Sequence, residues 1–363
     1  MPETLAPPVT VLMSVYNGEP YIREAVESIL NQTFADFEFV IVDDASVDDT
    51  ENILDSYDDC RIVRIRNREN IGLTKSLNGG LRIARGQFVA RQDADDVSLP
   101  ERLEKQIAFL QPNPATVLVA SNLRYIDHEG RSIGRSARVG DRDLVAWYLM
   151  FHNHLGGHSQ VVFRRSSVVN VGGYCESKPY SQDYELWTRL LRVGHLVILP
   201  EVLLLSRLHD KQISITATLA QRESALATSG QYISSVIGEE LSPELVAELS
   251  DFWVAGLPGN QRLFPEDGRR SKEIQIVVKR IYEAFLQHQK RRYPGQAYPA
   301  RKLRSLISRQ FLSWGMIVST IRRPLIKLRL SLYALRWDAL GALHFFLGKL
   351  KRNLKNSLKV DSH

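Results

Sequence analysis

Three short polar clusters could carry chemistry, and each closes an apolar run: Ser14-Val15-Tyr16-Asn17, Asp43-Asp44 and Asp93-Ala94-Asp95-Asp96. Asp and Asn are common turn formers, and any one cluster is explained as a turn. Three of them, each at the end of an apolar stretch, are harder to dismiss, and two, Asp43-Asp44 and Asp93-Ala94-Asp95-Asp96, gather carboxylates that could hold a cation. The absent motifs narrow the chemistry. No G-x-G-x-x-G follows the first apolar run, and no G-x-x-x-x-G-K-[ST], H-E-x-x-H or paired C-x-x-C occurs. Without a glycine cradle in the first turn, the charge of a bound nucleotide diphosphate has to be met in another way. The simplest is a divalent cation on carboxylates. Lys75 could reach a phosphate or be a solvated helix lysine. His152-x-His154-x-x-x-His158 has a spacing that invites zinc, but zinc takes four ligands and no cysteine lies nearby. A loop is the preferred reading, and the role of these three histidines stays open.

The elements that would position these groups are legible. Val9 to Val15 is a β-branched apolar run of the kind found in buried parallel strands. Tyr21, Ile22, Ala25, Val26, Ile29 and Leu30 then recur on one helical face. Phe37–Val42, Arg61–Arg66 and Phe88–Arg91 read as further strands. Helices fall between them at 49–58 and 74–85, the second closed by Gly86 at the position after its C-cap. This β-α-β-α-β-α-β alternation predicts an α/β fold with an open, mostly parallel sheet and helices on both faces. Ligands bind beyond the carboxyl ends of the strands in such sheets, which is where the three clusters fall. Gly172-Gly173 reads as a turn, with Leu186, Trp187 and Leu190 as core residues of the helix that follows.

Composition sets the class. The chain has 363 residues, with 44% hydrophobic and 24% charged, the balance of a globular protein of about two domains. Two cysteines make no disulfide framework. The first residues lack the basic and apolar regions of a secretory leader, and no apolar run reaches the ~18 residues of a spanning helix. Charge is uneven. Residues 301–363 carry 14 Lys and Arg against 2 Asp and Glu, so this tail holds +12 while the preceding residues hold −6.

The strings VTVLMSVYNGEPYIREAVESILNQTFADFEFVIVDDASVDDT, NIGLTKSLNGGLRIARGQFVARQDADDVSLPERLEKQIAFL and GGHSQVVFRRSSVVNVGGYCESKPYSQDYELWTRLLRVG together resemble the family 2 inverting glycosyltransferases of the GT-A fold, of the bacterial polysaccharide type. The resemblance covers about residues 8–215 and rests on several motifs in order. It implies a GT-A-like catalytic domain over 1–215, with a nucleotide-sugar half at about 8–110 and an acceptor half at about 111–215. It also implies donor binding by Ser14, Tyr16, Asn17, Asp44, Lys75 and Asp93. Tyr16 would stack on the base, Asp44 would accept the base N3–H, and Asp93 would lie near the ribose. Asp95 would ligate Mg²⁺ or Mn²⁺ with His209 completing the site, and Asp183 would be the catalytic base. The family often has Glu-Asp where this chain has Gln182-Asp183, so one charge is missing there. The implied partners are a nucleotide sugar, a UDP-sugar above others, and a glycan or lipid-linked acceptor. A nucleotidyltransferase is the rival enzyme, but SVYNGEPY is not its glycine- and lysine-rich first loop.

Residues 216–363 read as a helical region. From Pro324 onward Leu325, Leu328, Leu332, Leu335, Ala339, Leu343, Phe346, Leu350 and Leu354 recur at helical spacing between basic residues. Two readings stand: residues 324–359 meet an anionic membrane surface, or they pack on the catalytic domain with a solvated basic face. Nucleic acid is not expected as a partner, because few aromatics are interleaved with the basic residues and no recognition module is visible. The expected location is the cytoplasm, peripheral on the inner face of the membrane if the tail binds lipid.

Overall fold

In a computed structural model describing residues 6–138, 140–210, 212, 218–254, 270–295, 300–319 and 324–345, the apolar runs become strands of one open sheet. In chain order the elements are β1 (Val9–Val15), α1 (Ile22–Leu30), β2 (Phe37–Asp43), α2 (Thr50–Asp55), β3 (Ile62–Arg66), α3 (Leu73–Ile83), β4 (Phe88–Gln92) and β5 (Val97–Ser98). Then follow α4 (Arg102–Leu110), β6 (Thr116–Ile126), β7 (Ser132–Arg135), α5 (Arg142–Tyr148), β8 (Val162–Arg164), α6 (Arg165–Asn170), α7 (Gln182–Leu190) and β9 (His195–Arg207). The last elements are α8 (Thr218–Ile237), α9 (Pro243–Val254), α10 (Arg270–Arg292), α11 (Ala300–Ser319) and α12 (Pro324–Trp337). The chain divides into two compact units. The first is Met1–Leu149 with Asn153–Thr228, and the second is Met150–His152 with Ser229–His363.

The first unit holds the sheet, in the order β3-β2-β1-β4-β8-β6-β9-β5, with β7 paired to β6. β3, β2, β1 and β4 run parallel, so their carboxyl ends share one edge. β8 then enters antiparallel to both β4 and β6, and β5 antiparallel to β9, while β6 and β9 run parallel. Helices cover both faces. Val9, Val11, Met13 and Val15 of β1 face a core with Ile22, Val26 and Ile29 of α1 and Leu103, Ile107 and Leu110 of α4. On the other face α3 approaches β1 and β2 at Gly80, where a Cβ would stand 2.3 Å from the Leu12 Cδ1.

Gly86 corrects the expected helix end. α3 stops at Ile83, and Ala84 leaves it in an extended conformation (φ −55°, ψ 127°), so no left-handed residue closes it. Gly86 instead lies so close to β1 that a Cβ would stand 2.4 Å from the Thr10 N and 2.6 Å from the Val9 carbonyl carbon. The approach lets Gly86 N–H donate to the Thr10 Oγ1 (2.9 Å), and Thr10 Oγ1 donate to the buried Glu38 (2.7 Å). Arg85 closes the network on Glu38 through its backbone N–H and its Nε, both at 2.6 Å.

The second unit is helical. Phe252 of α9 lies between Phe311 and Trp314 of α11, at 5.0 and 5.3 Å between ring centroids. Phe151 stacks on Trp253 at 5.0 Å. Ser242 and Pro243 open α9 as expected, with Leu245 N–H donating to the Ser242 Oγ. Of the C-terminal stripe, residues 346–359 lie outside the described residues. Among the described residues no helix is long and apolar enough to cross a membrane.

Candidate active site

The parallel strands deliver their ends to one edge. β1 ends with Ser14 buried, and the chain leaves it through Tyr16, 48% exposed, and Asn17, which is left-handed (φ 55°). Asn17 ties this exit to that of β2: its N–H donates to Ser46 Oγ and its Oδ1 accepts from Val47 N–H, both at 2.9 Å. Asp44 is buried beside it, and its N–H donates to the Val15 carbonyl (2.8 Å). Its carboxylate accepts from Asn67 Nδ2 (2.7 Å), Ile71 N–H (3.0 Å) and Gly72 N–H (2.8 Å). A carboxylate has about four acceptor positions, so one on Oδ2 remains. Lys75 is exposed on the first turn of α3.

β4 ends at Asp93, and the antiparallel β8 starts beside it. Ser159 therefore meets Asp93: its Oγ donates to Asp93 Oδ2 at 2.9 Å and accepts from Asp93 N–H at 2.6 Å. The buried Arg91 guanidinium pairs with Asp93 Oδ1. Burial works against the charge of Asp93, but the Arg91 guanidinium and the Ser159 hydroxyl outweigh it and hold the carboxyl below its usual range. Asp96, immediately before β5, goes the other way. Burial, with the charges of Asp95 and Asp93, pushes it well above the usual range. It accepts the Arg207 N–H at 3.0 Å.

The pairing of β5 with β9 then fixes the second loop. Arg207, 2% exposed at the end of β9, donates through Nε to the Asp95 carbonyl (3.1 Å) and pairs with Glu24. Two residues on, His209 Nε2 lies 3.0 Å from Asp95 Oδ2, with Gln212 Nε2 at 3.3 Å from the same oxygen. Asp95 Oδ1 accepts no hydrogen bond among the described residues. Asp95 and His209, 114 residues apart, are thus brought into contact. Also among the described residues, no group of three or more His, Cys, Asp or Glu is arranged to hold a metal. Any cation there must take most of its ligands from elsewhere.

Asp183 stands in the first turn of α7. Gly172 and Gly173, both at positive φ, make the expected turn, and Ser181 (φ 53°) starts the helix. Leu186, Trp187 and Leu190 are buried as expected and anchor α7. Asp183 Oδ2 accepts from Asn153 Nδ2 at 2.7 Å. Burial raises the Asp183 carboxyl above its usual range. The Asp93 charge adds to the rise, and it exceeds the opposing pull of Asn153 and the helix N–H groups. Asp93 and Asp183 therefore share one electrostatic environment, in which one carboxyl is lowered and the other raised.

His158 belongs to the same cluster. Its Nε2 lies 2.7 Å from the Tyr174 Oη, and its ring meets Trp187 edge-on at 5.8 Å. Burial first, then Arg91, lowers His158 to about 3, so it is a neutral imidazole. His154 stacks on Tyr148 at 4.2 Å, so His154, like His158, has an aromatic partner. Sequence reasoning missed Arg91, Asn153, Ser159, Tyr174 and Arg207. Arg91 meets Asp93 two residues on, while Asn153, Ser159, Tyr174 and Arg207 reach the site through contacts distant in the chain; Arg91, Ser159 and Tyr174 lay inside the quoted strings but had no role assigned to them.

The family described as glycosyl transferase family 2 matches residues 10–171. An uncharacterized glycosyltransferase of Haemophilus influenzae is 33% identical over 231 residues, which are 60% of this chain and 71% of that protein. The amylovoran biosynthesis glycosyltransferase AmsE of Erwinia amylovora is 33% identical, over 54% of this chain and 74% of its own. Among solved structures, residues 1–349 of S. aureus TarS, crystallised with UDP-GlcNAc, superpose with a TM-score of 0.54 at 16% identity. That match covers 94% of this chain and 92% of that one, and it shows a shared fold.

Proposed function

Because the chain belongs to glycosyl transferase family 2 and is a glycosyltransferase, we propose that it moves a sugar, with inversion, from a UDP-sugar to a hydroxyl of a glycan or lipid-linked acceptor. The observation that carries this reading is Asp183: a carboxylate raised by burial, oriented by Asn153, and electrostatically coupled to Asp93 of the nucleotide edge. Inverting transfer needs one group to take the acceptor proton as its oxygen attacks the anomeric carbon. A base whose pKa is lifted toward the working pH does this better than an ordinary aspartate. No protein nucleophile is required.

The remaining residues have donor roles in this reading. Tyr16 stacks on the uracil, a contact worth ~1–3 kcal/mol, and the last acceptor position of Asp44 takes the N3–H. Asp93, kept charged by Arg91 and Ser159, accepts from ribose hydroxyls, and Ser14, Asn17 and Lys75 line the donor side. Asp95 and His209 would hold Mg²⁺ or Mn²⁺, which fits a partly exposed carboxylate whose Oδ1 accepts no hydrogen bond among the described residues, beside an imidazole. Such ions use one or two protein ligands plus substrate phosphates. When bound, the ion offsets charge on the leaving diphosphate. Release of UDP, GDP and dTDP from their sugars, measured with and without Mn²⁺, tests the donor and the metal, and the anomeric coupling of the product tests inversion. UDP release that is unaffected by EDTA, or a retained anomer, overturns the corresponding part.

A further inference from the structure

The apolar residues of α12 are split between two faces. Leu330 and Ala334 are buried, as is Ala342 beyond the helix end. Ser308 Oγ of α11 donates to the Ala334 carbonyl at 2.9 Å, and Tyr333 meets Phe311 at 5.8 Å. This is the packed face. Leu325, Leu328, Leu332 and Leu335 are all exposed, the first at 79%, and Leu340 and Leu343 continue the exposure. Positions 325, 328, 332 and 335 form one stripe at the helical period, turned away from Leu330 and Ala334. A contiguous leucine surface in water marks a contact site.

Its margins are cationic. Arg329 and Arg336 flank the stripe on one side and Lys327 on the other, all exposed. Residues 324–345 hold one carboxylate, Asp338. Its Oδ1 accepts the Gly341 N–H at 2.9 Å, and that bond keeps the group below its usual range. Asp338 thus caps the next helical turn.

We infer that this face of α12 docks on the surface of an anionic lipid bilayer. The helix lies in the interface plane, its leucines at the acyl boundary and Lys327, Arg329 and Arg336 at the headgroup phosphates. Charge decides among occupants. A second copy would bring the same cations together in segments that each carry +12 over residues 301–363. Nucleic acid would satisfy the cations and leave the leucines in water. An anionic bilayer meets both demands along about 21 Å of helix. The inference does not depend on the donor or the metal.

The full-length protein is sedimented with phosphatidylglycerol-containing vesicles and with purely phosphatidylcholine vesicles, at low and high salt. Light scattering reads its oligomeric state, and melting temperatures confirm folding of each variant. The expected results are binding to the anionic vesicles only, at least about tenfold weaker at high salt, where charges are screened within a few Å. Leu328→Glu with Leu332→Glu, and separately Lys327→Glu with Arg336→Glu, should each weaken binding about tenfold or more while the melting temperature holds. Three results overturn the inference. The first is no binding at low salt, and the second is binding unaffected by the leucine pair. The third is an oligomer that the leucine pair converts to a monomer while vesicles are never bound.

Discussion

On the proposed mechanism, Asp183→Asn removes the base and changes little else. The amide is nearly isosteric and can present its own Oδ1 to Asn153 Nδ2, which now donates to the carboxylate at 2.7 Å. A positioned general base contributes 10²–10⁴-fold, which is ~2.7–5.4 kcal/mol of barrier at 1.36 kcal/mol per tenfold. kcat for transfer is therefore expected to fall by at least ~10²-fold, with donor affinity changed less than about threefold. The pH profile carries the sharper test. Burial and Asp93 raise the Asp183 carboxyl, so it loses its proton above the ordinary aspartate range. Wild-type kcat should rise with pH through that raised value and then level, and the variant should lose this limb. Stability should move the other way. A native carboxyl raised above its unfolded value costs stability once ionised, so the neutral variant should melt no lower than wild type at pH 7. Steady-state rates against pH, calorimetric titration of donor and thermal melts measure all three. A variant that keeps its kcat, or keeps the limb, refutes the base. Collapse of donor affinity with turnover preserved would place Asp183 in the donor site.

Asp95→Ala should abolish transfer and Mn²⁺-dependent donor binding, and His209→Ala should raise the Mn²⁺ concentration needed for half-maximal rate about tenfold or more; full activity of Asp95→Ala in EDTA counts against the metal pair. Gly86→Ala should destabilise the fold by ~1–3 kcal/mol in denaturant titration, because its Cβ meets β1 backbone rather than a movable side chain. Glu38 is held below its ordinary 4.5: burial opposes this, and the bonds from Thr10 and Arg85 outweigh it. Its contribution is present above that pH and lost on acidification below it. The denaturation midpoint should therefore drop less between pH 5 and 3 in Thr10→Val than in wild type.

The parallel strand edge was legible because β1 to β4 are local: apolar β-branched runs that stop at Asn and Asp, joined by single helices. The reading failed where contacts are distant. Gly86 looks like a helix terminator from spacing alone, and only the approach of β1 shows why a side chain is forbidden there. β6 and β9 escaped notice as long apolar runs without alternation. β9 continues through Pro200, and its pairing with β6 shifts register between Leu199 and Val202. Ser159 and Arg207 reach the site through the antiparallel strands β8 and β5, whose partners no local pattern names. Asp95 and His209 were paired through the family resemblance, and the strand pairing explains how they meet. In the tail, periodicity found the leucines, but the packed face is carried by Leu330, Ala334 and Ala342.

The contact between Asp95 and His209 also orders events in time. β1 and β2 pair at a separation of 28 residues (Val9 with Phe37) and β1 and β4 at 79 (Val9 with Phe88), so the parallel edge closes shorter loops. The Asp95–His209 contact closes one of 114 residues and waits for β9 to dock beside β5. Long-range strand pairing is the slow part of forming such sheets. A chain emerging from the ribosome therefore completes its parallel strand edge before it can complete the Asp95–His209 pair, and that contact is among the last parts of the site to form.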